Sequence, residues 1–331
     1  MFHKYTLTSY RMFLAILILV TLVLALTLIE LHYYQTAPNI ISPYGKTREH
    51  ILRKIYENKR AHIGLPVRLN LEKLRSFLEG QYVSEARLLR AAVHAYPDNV
   101  TIWVCSDNLL AAHALMVLGS SLGEKVLDEL VSKYNGGYDG LHEVLLAVPI
   151  SDILCRRVNI TLGKVYSKKY NTTLYIKREK PGLTPIINWD EYADLIVYKA
   201  LNMLLKGQRD QAEKLFEKLM KMWDGYGFKD RIYRESGKYE TYKLALAIYL
   251  YRALKAAKSD ITGKYEDNIK KLCNIISMLQ RANGGMVTHY EVSHDIIRLA
   301  GDANTETTAI TILAFYSYYP EIIGGTCTSD D

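Results

Sequence analysis

Apolar positions along this chain fall into two alternating kinds of segment. In Asp107 to Leu118 (DNLLAAHALMVL), Ala193 to Leu205, Leu244 to Leu254 and Ala309 to Tyr319 they occupy nearly every side of a helix. In Lys125 to Tyr134, Arg209 to Trp223 and Tyr265 to Arg281 they form a single stripe. A helix that is apolar all round must be enclosed by protein, whereas a striped helix covers it from the surface. The alternation predicts helical hairpins in two layers, a curved α/α array. The enclosed helices open near Asp, Glu or Asn, which suit the free N–H groups of a first turn. The hairpins end at Gly-rich turns, Asn135-Gly-Gly-Tyr-Asp-Gly140, Asp224-Gly-Tyr-Gly-Phe228 and Asn283-Gly-Gly285, where glycine accepts the left-handed conformation. Thr47 to Ala95 also reads as helical, with helical spacing over Leu71–Leu78 and Ser84–Ala95. One segment, 144–188, differs. Val158–Tyr166 and Thr172–Lys177 are β-prone and predict an inserted hairpin. The fold class expected is therefore mainly all-α, a partial or small α/α-hairpin array with one β-hairpin.

Ahead of this domain, Met12 to Ile29 is an uncharged apolar run. As a helix it spans about 27 Å, close to a bilayer's hydrocarbon thickness. Lys4 and Arg11 precede it, and the next basic residues, Lys46 and Arg48, are distant, so the N-terminus is read as inside. The expected organisation is an inner stub and anchor over 1–34, a linker over 35–46 and an extracytoplasmic domain over 47–331, held to a cell membrane by a single pass. A cleaved signal peptide is the rival, but the run exceeds a usual h-region and no A-x-A site follows it.

The remaining composition adds less. Of 331 residues, 49% are hydrophobic and 23% charged, which supports a packed core and argues against disorder. The net charge of +7 comes without a basic block followed by aromatics, so nucleic acid is not an expected partner. Asn99, Asn159 and Asn171 lie in N-x-S/T sequons, which fits an outer location and glycosylation. Cys105, Cys155, Cys273 and Cys327 lack C-x-x-C spacing, so no structural zinc site and no metal or other cofactor is expected. Their pairing stays open, and Cys273 reads as a packed thiol on a helix.

Gln280-Arg-Ala-Asn-Gly-Gly-Met286 followed by Asp302-Ala-Asn-Thr-Glu-Thr-Thr-Ala309 resembles the α/α-toroid superfamily, which includes terpenoid cyclases, protein prenyltransferases, the complement thioester domain and glycan-cleaving enzymes. The resemblance covers roughly residues 84 to 320, at the level of fold, with about four hairpin units against the six of a complete toroid. No D-x-D-D acid motif, D-x-C zinc pair or C-G-E-Q thioester is present.

In such an array the starts of the inner helices gather at one mouth. That expectation makes Asp107, Asp190, Asp194, Glu240 and Glu306 the candidate catalytic carboxylates, with Glu191 beside Asp190. The turns would add Tyr138, Trp223, Tyr226, Phe228, His289 and Tyr290 as ligand-binding aromatics. Carboxylates with aromatics suit sugars, and two opposed carboxylates suit glycosidic cleavage. Helix capping and hairpin wedging are the plainer roles for the same residues. His113 reads as a core histidine, and His289 and His294, five apart, do not make a helical metal pair. Two functions follow as expectations. One is a binding or scaffold module for a carbohydrate or a cell-surface protein, and the other is a glycan-cleaving enzyme.

Overall fold

The computed structural model describes residues 65–325. The anchor and linker expected over 1–46, the segment 47–64 and Cys327 lie outside the described residues. Among the described residues no helix is long and apolar enough to cross a membrane.

α1 (Leu71–Gly80) opens at Asn70, whose side chain accepts from Lys73 N. β1 (Tyr82–Val83) and β2 (Leu88–Leu89) pair antiparallel. β3 (Thr101–Trp103) runs into a π-helical turn, Val104–Leu109, and then α2 (Leu110–Val117). α3 (Leu122–Tyr134) returns and stops at Asn135, which takes φ 50°. A 3₁₀ turn, His142–Leu146, precedes the long strands β4 (Cys155–Ser167) and β5 (Thr172–Pro185). Next come α4 (Ala193–Leu205), α5 (Arg209–Lys221), α6 (Arg231–Ser236), β6 (Tyr239–Glu240), α7 (Thr241–Ala256), α8 (Ile261–Lys264) and α9 (Glu266–Met278). β7 (His289–Ser293), β8 (Ile296–Leu299), α10 (Thr305–Tyr316) and α11 (Tyr319–Gly325) complete the order.

Four helices form the core. α10 packs between α2 and α7, and α7 packs on α4. Every residue of α10 from Thr307 to Phe315 is buried, as is every residue of α7 from Lys243 to Leu254. Such side chains as Ile310, Ile312 and Leu313 each contribute about 1.5–3 kcal/mol by leaving water. α3 lies on α2, α5 on α4, and α9 and α11 on α7. α3, α5 and α9 each keep an exposed face. His113 on α2 meets Tyr319 Oη through Nδ1 at 2.7 Å. Cys105, Cys155 and Cys273 are free thiols, Cys105 and Cys273 buried.

The mainly all-α expectation is corrected by the strands. The described residues are about half helical, with 20% strand in three sheets. Ser84–Ala95 is not a helix. Its backbone donors are taken by other segments: Leu89 N by Asn108 Oδ1 (2.6 Å), Ala91 N by Thr101 O (2.9 Å), and Val93, His94 and Ala95 N all by Asp302 Oδ2. His289 to Leu299, between the third Gly turn and α10, is a hairpin. His294 and Asp295 take φ 51° and 63° at its tip, the paired positive values of a tight β-turn. Tyr239 pairs with Tyr290 and Glu240 with His289, so this hairpin extends β6 into a three-stranded sheet. The hairpin read between Val158 and Lys177 has longer strands and a parallel neighbour, β3, beside β5. Leu174 and Ile176 of β5 face the core, while Tyr175 is exposed.

Candidate functional site

The site starts with a loop that binds itself. In Asp139-Gly-Leu-His142-Glu143, Asp139 Oδ1 accepts from Leu141 N and His142 N, both at 2.9 Å. Glu143 accepts from Gly140 N at 2.7 Å and Leu141 N at 3.0 Å. These bonds fix the His142 ring, which stands edge-on to Tyr198 of α4 with centroids 5.6 Å apart. Nδ1 of His142 lies 2.6 Å from Asp139 Oδ2, and Nε2 lies 3.3 Å from Oε1 of Glu306, in the first turn of α10. Arg157, on β4, ion-pairs with Asp139 and donates to its carbonyl at 2.6 Å. Glu179, on β5, brings an oxygen within 4.8 Å of donor atoms on Asp139 and His142.

Burial alone would lower the His142 pKa, but Asp139 and Glu306 hold it well above the usual histidine value. Each ring nitrogen faces a carboxylate, an arrangement that favours the doubly protonated ring. Burial would raise Asp139, and the imidazolium and Arg157 keep it far below the usual carboxylate range. Burial, then Asp139, pushes Glu143 up to about 7. Glu179 is raised by burial, with Glu306 adding to the effect while His142 opposes it. Asp107 is raised well above its usual value by burial and by Glu306, and its Oδ2 has no hydrogen-bond partner.

A second cluster sits at the starts of α4 and α7. Lys243, 3% exposed, reaches Asp230 Oδ2 at 2.5 Å and ion-pairs with Glu240. Glu240 Oε1 lies 3.7 Å from His289 Nε2, a proximity set by the β6–β7 register. Asp194 accepts from Tyr242 Oη at 3.0 Å and is raised by burial, with Glu240 opposing Lys243. Glu240 itself is lowered, because His289 and Lys243 outweigh its burial. The charge of Glu306 is felt at both Tyr198 and Tyr242, as is that of Asp194, which joins the two clusters electrostatically.

Capping does not occupy these acids. Asn304 caps α10 by accepting from Thr307 N, Asp230 takes the Ala193 N–H at the start of α4, and α7 has no side-chain cap. Of the five candidate carboxylates, Asp107, Asp194, Glu240 and Glu306 belong to these two polar clusters. Asp190 does not. It pairs with Lys218 on a groove of about 450 Å³ that Glu191 and Trp223 also line and that borders the second cluster at Asp230.

The aromatics divide too. His289 joins the second cluster through Glu240. Tyr290 is fully buried and stacks on Tyr239 with centroids 5.3 Å apart, and Phe228 is buried with its ring 5.7 Å from Trp223, so both are wedges. Tyr226 binds Asp295 at the β7–β8 tip. Tyr138 offers its carbonyl to Arg178 at 2.9 Å. Asn159 and Asn171 are exposed on the β4–β5 hairpin, whereas the Asn99 side-chain oxygen is occluded.

Sequence reasoning passed over Asp139, His142, Arg157, Glu179, Tyr198, Tyr242 and Lys243. The signal for the first two was available: Asp-x-x-His directly after the first Gly turn. Asp139, His142 and Glu179 also form the one group among the described residues with metal-ligand proximity. The donor set does not suit a cation, because Arg157 already brings positive charge onto Asp139 and one His142 nitrogen is bound to that carboxylate. No protein-family model, no curated protein and no solved structure matches the chain.

Proposed function

We propose that the polar cluster around His142 is an acid–base site that cleaves glycosidic bonds. The observation that carries this reading is the placement of two partly exposed carboxylates, Glu179 (23%) and Glu306 (27%), against one buried imidazolium. Two carboxyls in different environments can supply an acid and a base from the same residue type. Burial raises the Glu179 pKa, which favours the protonated form that can donate to the leaving oxygen. Glu306 faces the His142 ring across 3.3 Å and is the carboxylate placed to act as base. In the hydrolytic step the glycosidic C–O bond breaks, Glu179 protonates the departing oxygen, Glu306 takes a proton from water, and the hydroxide oxygen bonds to the anomeric carbon. Asp139 and Arg157 position His142. Burial and Glu306 raise the pKa of Asp107, which favours its neutral form and limits the negative charge around Glu306.

The test is turnover of an oligosaccharide panel by the full chain. Glu179→Gln and Glu306→Gln should each lose about 100-fold or more of the rate. Asp190→Asn, whose carboxylate pairs with Lys218 and touches neither Glu179 nor Glu306, should keep it. Binding without turnover by the wild-type protein, with affinity lost in Asp190→Asn or Trp223→Ala, would favour the binding-module reading, whose support is that groove of mixed charge with an aromatic wall.

A further inference from the structure

The β4–β5 hairpin concentrates the charge of the chain. Of its 42 Lys and Arg and 35 Asp and Glu, residues 151–189 hold eight basic and two acidic, so the remainder nearly balances and almost all of the net +7 resides here. Arg156, Lys164, Lys168, Lys169 and Lys180 are exposed.

The base of the same hairpin exposes aliphatic side chains. Leu183 is 96% exposed, Ile187 92% and Ile153 62%. They are close together. Cys155 pairs with Pro185, and Ile186 N donates to Leu154 O at 2.8 Å, so Ile153 and Ile187 flank one hydrogen bond. A Cβ built on Gly182 would lie 2.9 Å from Arg156 O, which brings Arg156 beside Leu183, and Lys180 pairs with Val158 nearby. Trp189 follows two residues after Ile187, with Lys199 Nζ 5.7 Å from its ring.

Scattered exposed leucines are ordinary, but near-complete exposure of two aliphatic residues in a basic rim with an adjacent Trp is not. We infer that the base of the β4–β5 hairpin docks on an anionic lipid surface, with Leu183, Ile187 and Ile153 entering the interface and Arg156 and Lys180 facing the headgroups. Basic residues near a negative bilayer surface attract it, and Trp prefers the interfacial layer. Nucleic acid would satisfy the charge but leaves Leu and Ile uncovered, since bases stack on aromatic and Arg planes. A symmetric second copy would cover the apolar patch only by opposing two strongly basic segments. The inference stands apart from the glycosidase reading and from the apolar N-terminal run.

Because that run would bind vesicles by itself, the test reads the patch locally. The full chain is reconstituted in vesicles of phosphatidylcholine with 30% phosphatidylglycerol in which a fraction of the lipid carries brominated acyl chains. Tryptophan quenching is then compared with that in pure phosphatidylcholine. The expected result is quenching in the anionic vesicles that Trp189→Phe removes. Leu183→Asp/Ile187→Asp should abolish it with an unchanged melting temperature, and Arg156→Glu/Lys180→Glu should reduce it about tenfold. Equal quenching in both lipids overturns the inference, as does quenching that persists in Trp189→Phe. Hydrogen-exchange protection of 151–189 beyond that of the hairpin ladder, rising with concentration in the lipid-free chain and lost in Leu183→Asp/Ile187→Asp, assigns the patch to a copy of this chain. Protection by DNA of mixed sequence but not by anionic vesicles assigns it to nucleic acid. Either result also overturns it.

Discussion

His142 Nε2 faces Glu306 Oε1 across 3.3 Å and joins the loop after α3 to the first turn of α10. The imidazole also holds Asp139 at 2.6 Å, so one buried ring links two acids that no local element brings together. Its raised pKa has a signed consequence for stability. A histidine that binds protons more tightly when folded contributes stability that is fully present below its unfolded pKa of about 6.5 and lost as pH rises through the folded value. Unfolding free energy of the wild-type protein should therefore fall with pH above about 6.5. His142→Gln should remove that component of the slope and lower stability most at pH 5 to 6. Parallel pH curves for the two proteins would falsify the assignment.

Lys243 should be the most sensitive charge in the second cluster. It is nearly fully buried and held above its usual pKa, burial notwithstanding, by Asp194, Glu240 and Asp230. Lys243→Met keeps much of the volume but leaves those carboxylates without their cation. Removing one partner of a buried ion pair is destabilising by about 3–5 kcal/mol. Urea unfolding at pH 7 measures the loss, and a change below 1 kcal/mol would show that the network is already balanced by solvent.

Gly284 and Gly263 make a matched pair. Gly284 takes φ 96°, and an added Cβ would lie 2.1 Å from Lys73 O, in the interior of α1. Gly284→Ala should destabilise by roughly 1–3 kcal/mol or more, since strain and overlap act together. Gly263, in α8, has nothing within 4 Å of that position. Gly263→Ala should be neutral or stabilising by up to about 1 kcal/mol. Thermal melts of the two variants should move in opposite directions, and equal shifts would mean that the turn at 283–285 relaxes freely.

The helical framework was legible because burial writes itself into sequence as periodicity. α4 and α7 are apolar around the full circle and enclosed, while α5 shows a stripe and keeps an exposed face. The strands left weaker marks. β1, β2 and β6 are two residues each, too short for alternation to register. The β7–β8 hairpin turns on His294-Asp295 rather than Asn-Gly, and its Glu291 and Ser293 resemble loop residues. At the mouth, the acids that begin helices stood out, but Arg157 and Glu179 did not. Each reaches His142 and Asp139 only through the β4–β5 register, which places Asn159 opposite Glu179 and Arg157 opposite Pro181. No local pattern encodes that meeting.

Asp107 distinguishes a site carboxyl from a structural one through the sign of its pH effect. Its folded pKa is raised by burial and by Glu306, and its Oδ2 is buried without a partner. As pH rises above the unfolded value of about 3.9, the unfolded chain releases this proton while the folded chain retains it. Stability contributed through Asp107 therefore declines with rising pH, up to its folded pKa. Asp107→Asn holds the side chain neutral throughout. The variant should match the wild-type protein near pH 4 and become progressively more stable than it toward pH 8, as measured by urea unfolding at each pH. A carboxylate that served the fold would give the reverse order, with the Asn variant weaker at pH 8. The same variant adds a functional readout. If Asp107 limits the charge around Glu306, Asp107→Asn preserves that neutrality and should keep glycosidic turnover within about tenfold of wild type, while Glu306→Gln loses about 100-fold or more. Loss of turnover in Asp107→Asn equal to that in Glu306→Gln would instead make Asp107 the proton donor in place of Glu179.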